Sequence, residues 1–474
     1  MGPLSAVSDL ADRLRLAGAV WRLLRADAVL PRETPLVAAP ATLRALAVLG
    51  RLIGGSAARR GRPGERLAAA LEREGPVAIK LGQFLSTRAD VFGAAFADDL
   101  SRLKDRLDPF PTAVARREVE AALGRPIGEL FQAFEDPVGA ASLAQVHPAV
   151  WADGRRVAVK VLRPGVEAAV AADIRAMRLA AEFVQRHAPG LERLEPLAFA
   201  ETVARALRLE LDLRFEAAGA DELGQAMAAD GYMTAPDVLW DGVGRRVLTL
   251  GWAGGRALSD PDTLEHLGAD RPRLARQLIQ GFLAQALDHG VFHADLHEGN
   301  LFVSEDHRLV AVDFGIVGRL GLAERRYLAE ILWGFINRDY TRVAEVHFAA
   351  GYVPASHNQA AFAQALRAVG EPVFGRRAAE VSMSRLLTQL FDVTGLFDMR
   401  LRPELVLLQK TMVTVEGVGR RLDPQLDIWS AAEPVVRRWM TDALSPIRRL
   451  GAFVDTARAA LERMAREPAG SGPN

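Results

Sequence analysis

Several side chains in this sequence have the types and the spacing that phosphoryl transfer demands. Asp295 is followed five positions later by Asn300 and eighteen positions later by Asp313, which opens an Asp-Phe-Gly triplet. A carboxylate beside a nucleophile, with an amide and a second carboxylate to hold Mg²⁺ on phosphate oxygens, is the working set for moving a phosphoryl group. Upstream, the run Arg156-Val-Ala-Val-Lys160 ends in the lysine that such a site sets against the α and β phosphates of ATP. That ammonium needs a helix carboxylate to hold it, and Glu210 and Glu216 in Leu-Glu-Leu-Asp-Leu-Arg-Phe-Glu-Ala (209–217) are both candidates. An isolated Asp-Phe-Gly carries little weight; the ordered set points to a nucleotide site.

The segment Pro137-Val-Gly-Ala-Ala-Ser-Leu-Ala-Gln-Val-His147 stands where a glycine-rich phosphate loop is expected. It has one glycine, Gly139, and otherwise Ala140, Ala141, Ser142 and, further on, Val146. Alanine restricts φ and keeps backbone further from phosphates than glycine would, so an altered nucleotide geometry is expected there. His293, Asp295 and His297 could instead converge on a metal ion, as in a hydrolase. That reading leaves Asn300, Asp313 and Lys160 without a role. His293 reads better as a packed, hydrogen-bonded orienter of the loop.

Only four of the 59 basic residues are lysines: Lys80, Lys104, Lys160 and Lys410. Where arginine is so favoured, a remaining lysine suggests a place for a compact ammonium that a forked guanidinium would not fit. Lys160 at a strand end and Lys80 in a helical Lys-Leu-Gly-Gln turn suit that reading. Lys104 lies on a solvated helix face.

The elements that must position these groups follow from the hydrophobic pattern. Residues 8–53 read as two amphipathic helices separated by Pro31 and Pro35, followed by a Gly/Arg-rich linker over 54–64. Helices are expected over Glu65–Arg73, Val77–Arg88, Phe96–Leu107 and Thr112–Leu123. Strands are expected from Phe131, through Ser142–Val146 and over Arg156–Leu162, with Asp153-Gly154 as a hairpin turn. Helices return over Ala168–Arg186 and Leu197–Leu223, then short strands near Asp237–Leu239 and Arg246–Leu250. Beyond these the chain is mostly helical to Glu467, apart from a strand pair Leu301–Ser304 and Leu309–Asp313. The order is a helical preface, a small β-rich lobe and a large helical lobe. This is an α+β chain with a bilobal, protein-kinase-like arrangement and an N-terminal helical extension. The expected divisions are an amphipathic N-terminus over 1–60, a Lys80-bearing extension over 61–130, an N-lobe with inserted helices over 131–251, a C-lobe over 252–467 and a disordered tail over 468–474.

Composition narrows the partners. With 59 basic and 59 acidic residues, the 474-residue chain carries no global nucleic-acid footprint, and no nucleic-acid partner is expected. The absence of cysteine excludes disulfides and thiolate metal sites. No signal peptide is visible, and no stretch reaches the roughly 18 apolar residues that a spanning helix needs. The longest uncharged run, Val346–Leu366, is interrupted by Pro354, Asn358 and two histidines. Residues 1–75 hold 12 Arg against 7 Asp or Glu. That excess suits a solvated helix face packed on the body and an anionic membrane contact equally. A soluble or membrane-peripheral chain is expected.

From about Arg66 to Asp423 the sequence resembles the UbiB (AarF-type) family of atypical kinase-like proteins, linked to ubiquinone biosynthesis. The resemblance rests on Lys80-Leu-Gly-Gln83 within Lys-Leu-Gly-Gln-Phe-Leu-Ser-Thr-Arg-Ala-Asp (80–90), a helical signature that ordinary kinases lack. Joining it are Gly-Ala-Ala-Ser-Leu-Ala-Gln-Val-His (139–147), Glu210-x-Asp212 with Glu216, the Asp295/Asn300 and Asp313-Phe-Gly sets, and Gln-Lys-Thr-Met-Val-Thr-Val-Glu-Gly-Val-Gly-Arg (409–420).

The resemblance implies binding of ATP with Mg²⁺ and slow ATPase chemistry. Lys160 would position phosphates, Glu216 or Glu210 would orient Lys160, Asn300 and Asp313 would hold Mg²⁺, and Asp295 would be the catalytic-loop carboxylate. It implies regulation by Lys80 and Gln83, which would interact with Glu210 and Asp212 and fold over the place where a kinase admits a protein substrate; protein phosphorylation is therefore not expected. Implied partners are a ubiquinone-precursor lipid or the biosynthetic enzymes and an anionic membrane surface, with room for a homodimer. The implied place is cytoplasmic, peripheral at the inner membrane. A nucleotide-gated scaffold or lipid-extracting protein with weak turnover is the alternative. Leu296 and Glu298 stand where the family usually has prolines, which should loosen that turn. Gly251 stands at the hinge where an acid is common, and Gly219 where an Asn is usual. Many members end in membrane helices; a chain without them is truncated or peripherally anchored.

Overall fold

The computed structural model describes residues 14–23, 62–86, 94–101, 108–187, 195–266, 270–372, 396–399 and 403–443, with Val48, Leu103 and Val393 between them. The second N-terminal helix, most of the 54–64 linker, Arg88 to Asp90, Lys104 and the tail expected over 468–474 lie outside the described residues. These fall into two compact units. The first takes the residues up to Gly224 with Ala235–Gly254 and Val312–Ile316; the second takes Gln225–Thr234, Gly255–Ala311 and those from Val317 onward.

In the first unit, residues 14–23 are helical. Arg15 reaches Asp173 at 3.2 Å and Arg22 reaches Glu74 at 2.5 Å, so part of the basic excess of the preface serves to fasten it. Helix α1 (Pro63–Glu74) opens on a proline, whose missing N–H is no loss at that position, and Glu65 accepts from the Arg62 backbone N–H. Helix α2 (Pro76–Leu85) carries Lys80 and ends before the expected Arg88, where Ser86 donates both backbone and side chain to the last carbonyls. Helix α3 spans Ala94–Ser101. The buried residues Ala68, Leu71, Leu100 and Leu103 form the small core that joins this layer. Helix α4 (Thr112–Leu123) stops at Gly124, whose φ of 66° is the left-handed turn that glycine takes freely.

The sheet follows: β1 (Phe131–Phe134), β2 (Gly139–Ala140), β3 (Ala144–Trp151), β4 (Arg156–Leu162) and β5 (Val247–Gly251). The order is β1-β3-β4-β5, antiparallel throughout, with β2 on β3. The second expected strand starts later and runs further than Ser142–Val146, because Ala141 N–H donates to Ala144 O at 2.8 Å and turns the chain just before β3. The expected strand over Asp237–Leu239 is reduced to a single bridge, Val238 to Leu250. Alternation does the rest. Val157, Val159 and Val161 face the core shared with Ala115 and Val119 of α4, while Leu162 and Leu248 face the opposite core.

That second core is closed by α5 (Val166–His187), α6 (Pro196–Glu210) and α7 (Leu213–Asp230). The single helix expected over Leu197–Leu223 is thus two. The break at Leu211–Asp212 has a local cause: the Asp212 carboxylate accepts from Arg214 N–H at 3.3 Å and from the Arg214 guanidinium at 2.8 and 2.6 Å, which starts a new helix rather than continuing the old one.

The second unit holds β6 (Arg256–Ala257), which pairs with β8 (Leu301–Val303), itself paired with β9 (Leu309–Ala311). Helix α8 (Arg271–Ala284) is capped by the Asp270 side chain and runs into a π-turn over Gln285–His289 that ends at Gly290. Strand β7 (Val291–His293) pairs antiparallel with β10 (Val317–Arg319). Helices α9 (Leu322–Ile336), α10 (Tyr340–Ala349), α11 (Gln359–Gly370), α12 (Pro403–Leu422) and α13 (Ile428–Ala443) complete it. The strands β6, β7 and β10 lie in a stretch expected to be helical. Two- and three-residue strands are too short to show a period in sequence. Among the described residues no helix is long and apolar enough to cross a membrane.

Candidate nucleotide site

Lys160 sits in the middle of the sheet, opposite Val146 on β3 and Leu248 on β5. Its ammonium donates to both carboxylate oxygens of Glu216, at 2.7 and 2.9 Å, and to Asp313 at 3.1 Å. Glu216 lies in the first turn of α7, 56 positions from Lys160 in sequence, because α5 and α6 are inserted between them. The choice left open by the sequence is settled by geometry: Glu216 holds Lys160, while Glu210, at the end of α6, pairs with Lys80 of α2 at 3.0 Å. Both partners of that second pair are mostly buried, at 13% and 17% exposure.

The electrostatics follow from two carboxylates sharing one ammonium. Burial works against the charge on Lys160, but Asp313 and Glu216 outweigh it and raise the ammonium above its ordinary range. Burial pushes Glu216 up to about 7, against the pull of Lys160 and with further help from Asp313 and Glu210. Asp313 adopts φ 62°, a left-handed conformation that Asp tolerates better than most residues and that is often found at functional positions. Its side chain is half exposed.

Asp212 does not meet Lys80, contrary to what the resemblance implied. Its carboxylate is held by Arg214, which also keeps it below the usual carboxylate range. Among the described residues, no hydrogen bond joins the Gln83 side chain to Glu210 or Asp212.

The alanine-rich loop is a braced hairpin. Ala140, Ala141 and Val146 keep part of their surface exposed, whereas Ser142 is wholly buried. Arg163, three residues past Lys160, donates to Ala141 O at 3.0 Å and to Asp108 O at 2.9 Å. Gln145 takes the Phe110 N–H at 2.8 Å and returns a bond to Phe110 O at 3.0 Å. Its amide N–H also faces His147 Nε2 at 2.8 Å, while His147 Nδ1–H donates to Glu135 O at 2.8 Å. Arg163, Gln145 and His147 had no expected role. A strand with polar residues at positions that must be buried was the available signal. At the end of β5, the Gly251 and Trp252 N–H groups are bonded to Asp237 O and Arg156 O.

In the second unit, Asp295 stands between β7 and a tight turn over Glu298–Asn300. His293 is fully buried and its Nδ1 accepts from Asp295 N–H at 3.1 Å, the orienting part expected of it. His297 Nδ1 accepts from Gly299 N–H at 2.9 Å. Both histidines thus use a ring nitrogen on the loop backbone. Asn300 donates its amide to Asp295 O at 3.0 Å, and its own side-chain oxygen takes no hydrogen bond among the described residues. Leu296 is fully buried and Glu298 is ion-paired with Arg421 of α12, so the turn that lacks two prolines is held by packing and charge.

Residues 102–347 match the ABC1 atypical kinase-like domain and residues 366–427 match the UbiB helical domain. A protein of Aliivibrio salmonicida named probable protein kinase UbiB is 39% identical over 411 residues, covering 85% of this chain and 76% of that one. One of the same name from Marinobacter nauticus is 40% identical over 388 residues, covering 81% and 71%. The fold is also shared with a solved structure, the complex of Rv3197 with erythromycin from Mycobacterium tuberculosis, with a TM-score of 0.55, 22% identity and coverage of 77% of this chain and 93% of that one. The chain is an atypical kinase-like protein of α+β, bilobal fold. It belongs to the UbiB family.

Proposed function

We propose that the protein binds ATP with Mg²⁺, hydrolyses it slowly, and supports ubiquinone biosynthesis at an anionic membrane surface. The observation that carries the reading is Lys160 held between Glu216 and the Asp313 of Asp-Phe-Gly. A lysine so held is oriented for phosphate oxygens, and its charge is secured across the physiological pH range. By type, the half-exposed Asp313 carboxylate and the Asn300 side-chain oxygen are each hard ligands of the kind Mg²⁺ takes. When bound, the ion would neutralise phosphate charge and lower the barrier to transfer. Asp313 and Asn300 would hold it, Lys160 would bind the phosphates, Glu216 would keep Lys160 in place, and Asp295 would take the proton of the attacking water.

Ala140, Ala141 and Val146 would line the nucleotide through backbone and small side chains. The Lys80–Glu210 pair supports a regulatory part for α2 rather than a place for a protein substrate. Membrane contact draws support from the sequence excess of 12 Arg over 7 Asp or Glu in residues 1–75. The relatives' name links them to protein kinases; the acceptor proposed here is water, with the lipid precursor or biosynthetic enzymes as partners.

The test is ATP hydrolysis by the wild type and by Lys160→Met, with and without vesicles containing anionic phospholipid and a polyprenylphenol. Hydrolysis lost in Lys160→Met and raised by anionic vesicles is expected. Nucleotide binding by calorimetry that is equal in both proteins, or absent from both, overturns the reading.

A further inference from the structure

Helix α12 contains none of the groups assigned to nucleotide chemistry, yet it touches the Asp295 loop at two points. The Thr411 hydroxyl lies 3.0 Å from the carbonyl of Ala294, and Arg421 pairs with Glu298. We propose that Thr411 is a positioning residue for Asp295, with Arg421 as its auxiliary, so that α12 sets the direction in which the loop carboxylate is presented. The inference rests on the nucleotide-site reading above for what the carboxylate does, but not for how it is held.

The argument concerns one peptide plane. The carbonyl of Ala294 and the N–H of Asp295 belong to the same planar unit, which rotates as a whole. Thr411 donates to its oxygen at 3.0 Å and His293 Nδ1 accepts its N–H at 3.1 Å, so both ends are fixed. The next plane is fixed too, since Asp295 O accepts from the Asn300 amide at 3.0 Å and from His297 N–H at 3.0 Å. With both flanking planes held, the Cα–Cβ direction of Asp295 has little freedom left. His293 is held in turn by the side chain of Gln285, a buried residue of the π-turn, which accepts its N–H at 3.1 Å. π-turns in helices recur at functional positions.

Thr411 is suited to this part by its surroundings. It is 1% exposed and Ala294 is 2% exposed, so water cannot replace the bond. A threonine inside a helix ordinarily bonds back to the carbonyl four residues earlier, and Leu407 O is indeed 2.8 Å away. One hydroxyl proton serves two acceptors, and the loop carbonyl is the one with no helix to satisfy it. The end of α12 is itself anchored, because Arg271 at the start of α8 donates to Leu422 O at 3.0 Å and to Arg421 O at 3.1 Å. The Arg421–Glu298 pair is about one-third exposed on each side. It therefore fixes the register of the turn more than it adds strength.

The experiment compares wild type with Thr411→Val, which keeps shape and branching but removes the donor, and with Thr411→Ser, which keeps the hydroxyl. Each is measured for kcat and KM of ATP hydrolysis, for thermal midpoint, and for amide hydrogen exchange over residues 294–300. In Thr411→Val, kcat should fall about tenfold, the size of one lost buried hydrogen bond, with KM for ATP little changed. The loop amides should exchange faster, and Thr411→Ser should recover both. Wild-type exchange over 294–300 in Thr411→Val overturns the inference whatever the catalytic result. So does a lowered thermal midpoint with kcat unchanged. A wild type that neither binds nor hydrolyses ATP sinks the nucleotide reading instead, and the exchange rates still decide the brace.

Discussion

The ammonium of Lys80 lies 3.0 Å from the carboxylate of Glu210, six positions ahead of the Glu216 that holds Lys160. Two lysines thus take two glutamates from the ends of consecutive helices, one pair fastening α2 to the inserted helices and the other holding Lys160 of β4 to α7. The two pairs are not independent, since the charge on Glu210 is among the influences that raise Glu216.

Removing Lys80 leaves a mostly buried carboxylate without its cation. Lys80→Ala should cost about 2–3 kcal/mol of unfolding free energy, and Lys80→Ala with Glu210→Gln should recover part of it, because the orphaned charge is gone. Lys80→Arg should also be poorly tolerated, since a forked guanidinium does not fit a place shaped for an ammonium. Urea unfolding of the three variants measures this. Equal midpoints for Lys80→Ala and wild type would return Lys80 to the status of an ordinary helix residue.

Asp313 serves Lys160 in the structure and Mg²⁺ in the proposed reaction. Asp313→Asn should therefore do two things at once. It should lower Mg²⁺-dependent ATP affinity by about tenfold or more, since a neutral amide is a weaker ligand for a hard cation. It should also draw the Glu216 pKa downward, by removing one of the like charges that raise it. Thermal shift with ATP, with and without Mg²⁺, reads the first effect; equal stabilisation in both conditions for the wild type would dismiss the metal role of Asp313.

How far the sequence foretold this structure depends on how local each signal was. Lys160 lies inside β4 and the Asp313 triplet just past β9, and both positions were legible because each sits in a strong local pattern. The partner of Lys160 was not, because Glu210 and Glu216 share one acidic run and only the break at Asp212 separates them. That break comes from a side chain bonding its own neighbours, which a helical hydrophobic pattern does not register. Strands β6, β7 and β10 were missed for a different reason: with two or three residues each they exist through long-range pairing. The brace from Thr411 joins residues 117 positions apart, a distance over which periodicity says nothing.

The glycine of Lys-Leu-Gly-Gln has a steric reason that the motif itself did not disclose. A Cβ on Gly82 would come within 2.3 Å of a Leu103 methyl and 2.7 Å of a Leu71 methyl. Both leucines are buried in the small core beneath α1, so they can yield only by displacing their neighbours. Gly82→Ala should destabilise the protein by about 1–2 kcal/mol despite the better helix propensity of alanine. A Gly82→Ala variant as stable as wild type in urea would mean that this layer repacks freely.

His147 sets a pH limit on the hairpin that carries the alanine-rich loop. Burial lowers its pKa below the ordinary histidine value, only partly opposed by its bond to the Glu135 carbonyl. With Nδ1–H donating to that carbonyl, Nε2 must accept from the Gln145 amide, which requires the neutral ring. A proton on Nε2 would set two donors face to face in a place without water. Because the folded pKa is the lower one, the unfolded chain takes up its proton first. Stability from this group is complete above about pH 6.5 and is lost as pH falls through the folded value. In His147→Asn the amide can still donate to Glu135 O but cannot titrate. Wild type should therefore be the more stable protein near neutrality, and its advantage should shrink steadily as urea unfolding is repeated at successively lower pH below the ordinary histidine value. A stability difference that stayed constant across that range would show that His147 is not held neutral by this network.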